Sequence, residues 1–263
     1  MTGVASWPPG FLSEVEGDAP TGHPVLWALG GPSFVYRTKE TTIWIDPFFA
    51  NTPDNLVPDG IFRSVAIPID ANAITRADAV ISTHAHVDHC HRESVSPIVA
   101  NTHARCLGPA SSMALVRTWE LPAELLQEVA AGDSLVVGDV SVRVYGAHDP
   151  HEPGAVSFVL EASGVSLFVS GDTRQGPALA DVAGENALDY ALLAFGGDWY
   201  MNPEQMLEAA TVLGPRTLLP FHWEMWRHQT GDLVALFEAY HRLRPSFRLE
   251  LPLIGDRVPL APG

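Results

Sequence analysis

Thr83-His84-Ala85-His86-Val87-Asp88-His89 gathers three imidazoles and a carboxylate directly after the apolar run Ala79-Val80-Ile81-Ser82. A short apolar run of this kind reads as a buried strand, so the cluster sits where a strand gives way to a loop. Side chains repeat every two residues along an extended segment, which puts His84 and His86 on one side. Asp88 and His89 follow as the chain turns, and can face the same space from another angle. Imidazole and carboxylate together suit zinc, and also manganese or iron.

Working outward, three more such residues stand just past apolar strands. His148 follows residues 140–147, Asp172 follows 166–171 and His222 follows 217–221. Strand ends along one edge of a sheet converge in space, so these groups can meet although they are far apart in sequence. Seven donors exceed what one tetrahedral ion needs, which predicts two ions sharing a bridging carboxylate. His151 competes with His148. The latter is preferred because it directly follows its strand, which leaves His151 beside the site or lining its pocket. His23, His91, His103 and His241 lack strand-end placement and read as surface or helix histidines. His228 reads the same way, but lies near enough to His222 to line the mouth.

The remaining segments supply the scaffold. Residues 1–24 are rich in Pro, Gly and acidic side chains and read as an irregular lead-in. A strand meander over 25–29, 33–37 and 42–45 ends at Asp46-Pro47. Residues 51–68 read as a loop, long enough to serve as a lid or substrate wall. Helices are expected over 109–119 and 122–131, and strands over 134–137, 140–146, 155–161, 165–170 and 190–194. Ser163-Gly164 makes a hairpin turn between two of these strands. Asn202-Pro203-Glu204-Gln205 is a helix start, with Asn as cap, Pro first and Gln third. That helix runs to Gly214, followed by a short strand at 217–219 and an amphipathic helix over 232–242. Strands then helices occur twice, which predicts an α/β chain of two similar layers closing into one domain over 25–263.

Composition narrows the function. A formal net charge of −16 on 263 residues argues against general affinity for nucleic acid or anionic membrane. Two cysteines, Cys90 and Cys106, are too few for a disulfide framework, and Cys90 reads as a packing residue despite its place in the cluster. Neither a secretory signal nor a membrane-length apolar stretch is apparent, so a cytoplasmic protein is expected. The absence of Gly-x-Ser-x-Gly argues against covalent catalysis by serine.

The motif His84-Ala85-His86-Val87-Asp88-His89, with His148, Gly171-Asp172-Thr173 and His222, resembles the ligand series of the metallo-β-lactamase superfamily in order and placement. The likeness covers roughly residues 25–230. It implies a four-layer αββα sandwich of two mixed sheets flanked by helices, with the metals at one edge. On that pattern His84, His86 and His148 hold one ion, Asp88, His89 and His222 hold the second, and Asp172 bridges them. Within the superfamily the chain is most similar to the L-ascorbate-6-phosphate lactonase branch. Trp27-Ala28-Leu29-Gly30, Ile45-Asp46-Pro47-Phe48, Ser170-Gly171-Asp172-Thr173 and Pro220-Phe221-His222-Trp223-Glu224-Met225-Trp226 carry that likeness. It departs at Trp223-Glu224, where those lactonases carry His-Asp.

The expected activity is metal-dependent hydrolysis of a small carbonyl substrate, foremost a lactone. Two divalent ions, zinc or manganese with iron as a further candidate, would supply hydroxide near neutral pH. Asp88 would orient the nucleophile or deliver a proton to the leaving group. Arg174 is a fork-shaped candidate for an anionic substrate group, and Tyr200 and Trp223 are candidate pocket walls, with Trp199 and Trp226 beside them. The competing expectations are a small-molecule or lipid phosphodiesterase and a non-hydrolytic metal-dependent cyclase or isomerase. The expected partner is a small molecule, with homo-oligomerisation left open.

Overall fold

The strands that read as unbroken apolar runs are buried on both faces, which requires cover above and below each sheet. A computed structural model describes residues 10–49, 63–67, 69–227 and 230–263. In chain order its elements begin with α1 (Phe11–Glu16), β1 (Val25–Gly30), β2 (Ser33–Arg37), β3 (Thr42–Ile45), β4 (Ala79–Ile81) and α2 (Arg92–Thr102). They continue with β5 (Arg105–Gly108), α3 (Ala110–Val116), β6 (Leu126–Glu128), β7 (Ser134–Val137), β8 (Val140–Gly146), β9 (Val156–Ala162) and β10 (Val165–Val169). The rest are α4 (Ala178–Glu185), β11 (Tyr190–Ala194), α5 (Pro203–Leu213), β12 (Thr217–Phe221), α6 (Leu233–Leu243), β13 (Arg248–Leu249) and β14 (Arg257–Pro259).

Two seven-stranded sheets result, ordered β14-β1-β2-β3-β4-β5-β6 and β13-β12-β11-β10-β9-β8-β7. Each mixes antiparallel and parallel pairs: β1–β2 and β2–β3 are antiparallel, for example, while β3–β4 and β4–β5 are parallel. Strand alternation divides the apolar side chains between layers. Leu26, Phe34, Ile43 and Ile81 of the first sheet meet Val142, Phe158, Leu167 and Leu219 of the second in a central core. Trp27, Val35, Trp44 and Val80 face the other way, against Phe11, Ile98 and Met113 of α1, α2 and α3. Phe168, Ala191 and Leu193 are covered by Val182, Met206 and Leu236 of α4, α5 and α6. The architecture is the expected αββα sandwich of two mixed sheets.

Several segments differ from the sequence reading. The lead-in contains α1, whose Phe11 and Val15 are buried. Arg37, itself buried, donates from Nη1 and Nη2 to the carbonyls of Val15 and Gly17 at 2.6 and 2.8 Å, which fixes α1 to β2. The helix expected over 122–131 is a single 3-10 turn, Ala123–Leu125, followed by β6. There Leu126 and Gln127 pair with Cys106 and Leu107, so extending the sheet edge satisfies backbone groups that an isolated short helix would leave to water. Helices α2 and α4 and strands β5, β13 and β14 are additions to the sequence reading. Residues 50–62 and 68, most of the supposed lid, lie outside the described residues, as does His228.

Other local expectations hold. Asn202 and Gln205 form a reciprocal capping box at the start of α5. Ser163 and Gly164 turn the β9–β10 hairpin with φ of 51° and 74°.

Candidate metal centre

β3 and β4 run parallel as neighbours, so the residues just past their ends adjoin. Asp46 follows β3 in the left-handed region, φ 43°. Its carboxylate is shared out completely. Oδ1 accepts the Thr83 N–H at 2.7 Å, while Oδ2 meets Thr83 Oγ1 at 2.7 Å and His89 Nδ1 at 2.7 Å. The His89 ring is thereby oriented with Nε2 free for another partner, the arrangement that buttresses metal-binding histidines generally. On the second sheet, β10 leads into Gly171-Asp172. Gly171 has φ 58°, and a Cβ there would come within 2.9 Å of Thr83 Cβ. Only glycine lets the loop bearing Asp172 press against the loop bearing His84 and His89. His222 follows β12 with φ 71°, an unusual backbone for a non-glycine residue and one that tends to mark functional positions.

These loop ends bring together two adjoining groups. Donor atoms of His84, His86, Asp149 and Asp172 lie within 4.8 Å of one another, and so do those of Asp88, His89 and His222. Asp172 spans both: Oδ2 is 3.8 Å from His84 Nε2, and Oδ1 is 3.3 Å from His89 Nε2 and 3.8 Å from His222 Nε2. Asp88 Oδ2 lies 3.2 Å from His222 Nε2 and 3.7 Å from His89 Nε2. His84 Nε2 and His86 Nδ1 are 2.8 Å apart.

The electrostatics follow from this crowding. Burial, reinforced by the charge of His89, pulls the His84 imidazole well below its usual range. Burial also opposes charge on His89, but Asp172, Asp46 and Asp88 outweigh it and push its pKa well up. Asp172 is held down to about 2 against its burial, chiefly by His89 and His222. Asp88 is likewise held low against its burial, by His89 and by its hydrogen bond to His222.

Do these residues fit cations? Among the buried side-chain atoms without a hydrogen-bond partner are His89 Nε2, Asp149 Oδ2 and Asp172 Oδ1, all belonging to these two groups. Buried polar atoms are normally satisfied. Unsatisfied nitrogen and carboxylate donors converging on one space are what divalent cations satisfy, and both the donor chemistry and the number of groups suit them.

Of the anticipated residues, His84, His86, Asp88, His89, Asp172 and His222 meet here. The side chain of His148 does not: it is exposed, and its neighbour Asp149 turns in instead. The preference for His148 rests on its place just past a strand; β8 ends at Gly146, and beyond it residue 148 is exposed while 149 is buried. His151 is exposed and its N–H donates to Asp149 Oδ1 at 2.8 Å. His91 is buried, not superficial, with Nδ1 2.8 Å from Ser94 Oγ and its ring edge-on to Phe48. Arg174 donates from Nη2 to the carbonyls of Asp198 and Trp199, at 3.1 and 2.8 Å. Tyr200 is buried at the centre's rim, its hydroxyl 3.2 Å from His222 Nε2. Trp223 packs against the apolar layer under α4, α5 and α6. Glu224, where the lactonase likeness breaks, accepts the Gly31 N–H on Oε1 at 2.8 Å and so ties the His222 loop to the β1–β2 turn.

Comparison with known proteins places this geometry. The Beta-lactamase superfamily domain matches residues 41–223, a span that includes every member of both groups. The chain belongs to the metallo-β-lactamase superfamily. Within the superfamily, it is 25% identical over 196 residues to a probable L-ascorbate-6-phosphate lactonase UlaG of Escherichia coli O139:H28, covering 65% of this chain and 55% of that protein. The chain thus spans about half the length of the curated relatives it matches. A metallo hydrolase from the archaeon Ignicoccus hospitalis superposes with TM-score 0.71 at 18% identity, covering 89% of this chain and 97% of the other. An isothiocyanate hydrolase from Delia radicum gut bacteria gives 0.69 at 16%, covering 89% and 98%. Both structures share this chain's fold. Among the described residues, no helix is long and apolar enough to cross a membrane.

Proposed function

We propose that this chain is a metal-dependent hydrolase that adds water to a carbonyl of an uncharged small molecule, a lactone being the favoured class. The division of Asp172, with one oxygen toward the His84 group and the other toward His89 and His222, carries the reading. It suits two divalent cations, zinc or manganese with iron as the third candidate. When bound, such cations polarise the substrate oxygen and lower the pKa of water to roughly 7.

Around them this chain's groups have definite parts. Asp88, ionised despite its burial, would orient the attacking water, take up the proton that water gives up and pass it to the leaving oxygen. Tyr200, kept protonated by its burial and by Asp172 and Asp88, donates its O–H to the oxygen on which charge develops. Arg174, expected to anchor an anionic group, already spends Nη2 on two backbone carbonyls. This takes Nη2 out of the fork that a phosphate would need, although Nε stays buried without a hydrogen-bond partner, and so favours an unphosphorylated lactone over a phosphodiester or a sugar phosphate. The net charge of −16 pulls the same way.

A panel of uncharged lactones, phosphodiesters and isothiocyanates, run on metal-loaded protein with His84→Ala as control, tests the reading. Lactone turnover that disappears in His84→Ala is expected. Phosphodiester turnover with inert lactones would replace this reading with the phosphodiesterase one. Stoichiometric iron without hydrolysis of any kind would favour the cyclase or isomerase.

A further inference from the structure

The geometry points to Asp149, and not the histidine before it, as a protein ligand of the first cation position, which makes the whole centre richer in oxygen donors than its sequence motif implies. The inference rests on the metal-binding reading above and concerns which residue completes that site.

Four observations carry it. First, the backbone of His148 is pinned on both sides. Its N–H donates to Thr173 Oγ1 at 2.7 Å and its carbonyl accepts the Arg174 N–H at 2.8 Å, so the backbone at 148 cannot turn over without releasing the Asp172 loop. Second, the pinned orientation turns the His148 side chain toward solvent beside Gly176, close enough that a Cβ on Gly176 would come within 3.0 Å of His148 Cβ. Third, consecutive side chains of an extended segment project to opposite sides, so a chain that turns 148 outward turns 149 inward. Pro150 reinforces this, since the residue before a proline is held extended. Fourth, the two oxygens of Asp149 have separate fates. Oδ1 accepts the His151 N–H at 2.8 Å in a local turn. Oδ2 has no hydrogen-bond partner, although the side chain is only 4% exposed, and it lies 3.8 Å from His84 Nε2 and 3.9 Å from His86 Nδ1. A buried, unpartnered carboxylate oxygen aimed at two imidazole nitrogens is a costly arrangement unless a cation completes it.

The consequence is chemical. With Asp149, the first position offers His84, His86, Asp149 and Asp172; with His148 it would offer three imidazoles and one carboxylate. Replacing an imidazole by a carboxylate hardens the donor set and shifts preference toward Mn2+ or Fe2+ relative to Zn2+. It also places a third carboxylate beside the cations, after Asp88 and Asp172. The assembled centre is then less positive, which weakens its pull on anionic substrates and agrees with a neutral one.

The test counts ions rather than turnover. Metal-depleted protein is equilibrated with Mn2+ alone, freed of excess ion, and assayed for bound metal and for the electron-paramagnetic signal of coupled Mn2+ pairs. Wild type and His148→Ala should each hold two ions per chain, while Asp149→Asn should hold one and lose the coupled signal. The amide oxygen of Asp149→Asn can still accept the His151 N–H, so the local turn survives, and circular dichroism verifies the fold. Asp149→His should move Mn2+/Zn2+ preference at least tenfold toward zinc. Loss of an ion in His148→Ala overturns the inference, and that variant decides alone if Asp149→Asn does not fold. Two ions retained in Asp149→Asn also overturn it, and leave the metal-binding reading intact. A wild-type chain that holds no ion overturns both.

Discussion

Asp46 sits one residue past β3 with its carboxylate divided between Thr83 and His89, and it touches the centre only through them. Its role is to fix which nitrogen of His89 faces the cation space, and partners of this kind typically contribute ~10–100-fold to metal affinity. Asp46→Ala should therefore weaken Mn2+ or Zn2+ binding by about that factor, measured by calorimetric titration. Unchanged affinity would mean that His89 is oriented by packing alone. At this scale much of the site could be read in advance. Looking for His and Asp just past apolar strands found His84, His86, Asp88, His89, Asp172 and His222. The same criterion fits Asp46, which follows Ile45, but its place before Pro47 made it look like a turn residue. Asp149 was hidden for a different reason. A place just past a strand selects the segment and not the residue: beyond Gly146 it is 149 that is buried and 148 that is exposed.

Among elements, the loops after β4 and β10 are interlocked through Gly171. Adding a methyl there meets Thr83 Cβ and Oγ1 at 2.9 Å, and Thr83 cannot retreat because Asp46 holds it. A non-glycine residue in the left-handed region costs on the order of 1–3 kcal/mol before any clash. Gly171→Ala should lower unfolding stability by at least that much and weaken metal binding as well, since it separates Asp172 from His89. Denaturant unfolding with and without Mn2+ checks both effects, and a variant as stable as wild type would mean that the loops adjust freely. The fully buried strands were legible because apolar residues dominate them, as in β1, β3, β10 and β12. The elements missed, α1, α2, α4, β5, β6, β13 and β14, are short or weakly patterned. Such elements are held by what they pack on: α1 by Arg37 and the outer face of β1 and β2, β6 by the ladder of β5.

For the molecule as a whole, the two sheets and their helical layers bury Cys106 completely in the layer beneath α2 and α3. Burial, with the nearby Cys90 adding, pushes its thiol from 9.0 up to about 12. Below pH 9 the thiol is protonated in both folded and unfolded chains and this site's full stability is present. Above it, only the unfolded chain releases the proton, so stability falls as pH rises toward about 12, by about 1.4 kcal/mol per pH unit at most. Wild type should thus lose about 2 kcal/mol more than Cys106→Ala between pH 8 and about pH 10.5, as read from urea midpoints. Equal losses would place the alkaline weakness elsewhere.

The sandwich is also closed late. β1 pairs on one side with β2, its immediate successor, and on the other with β14, the last strand of the fold. A chain emerging from the ribosome at roughly 5–20 residues per second leaves the outer rim of β1, Val25-Leu26-Trp27, without its partner for tens of seconds. An apolar strand rim that waits this long is a template for another nascent chain. Rapid overproduction should therefore divert material into aggregates, and slower translation or chaperone cover should recover it.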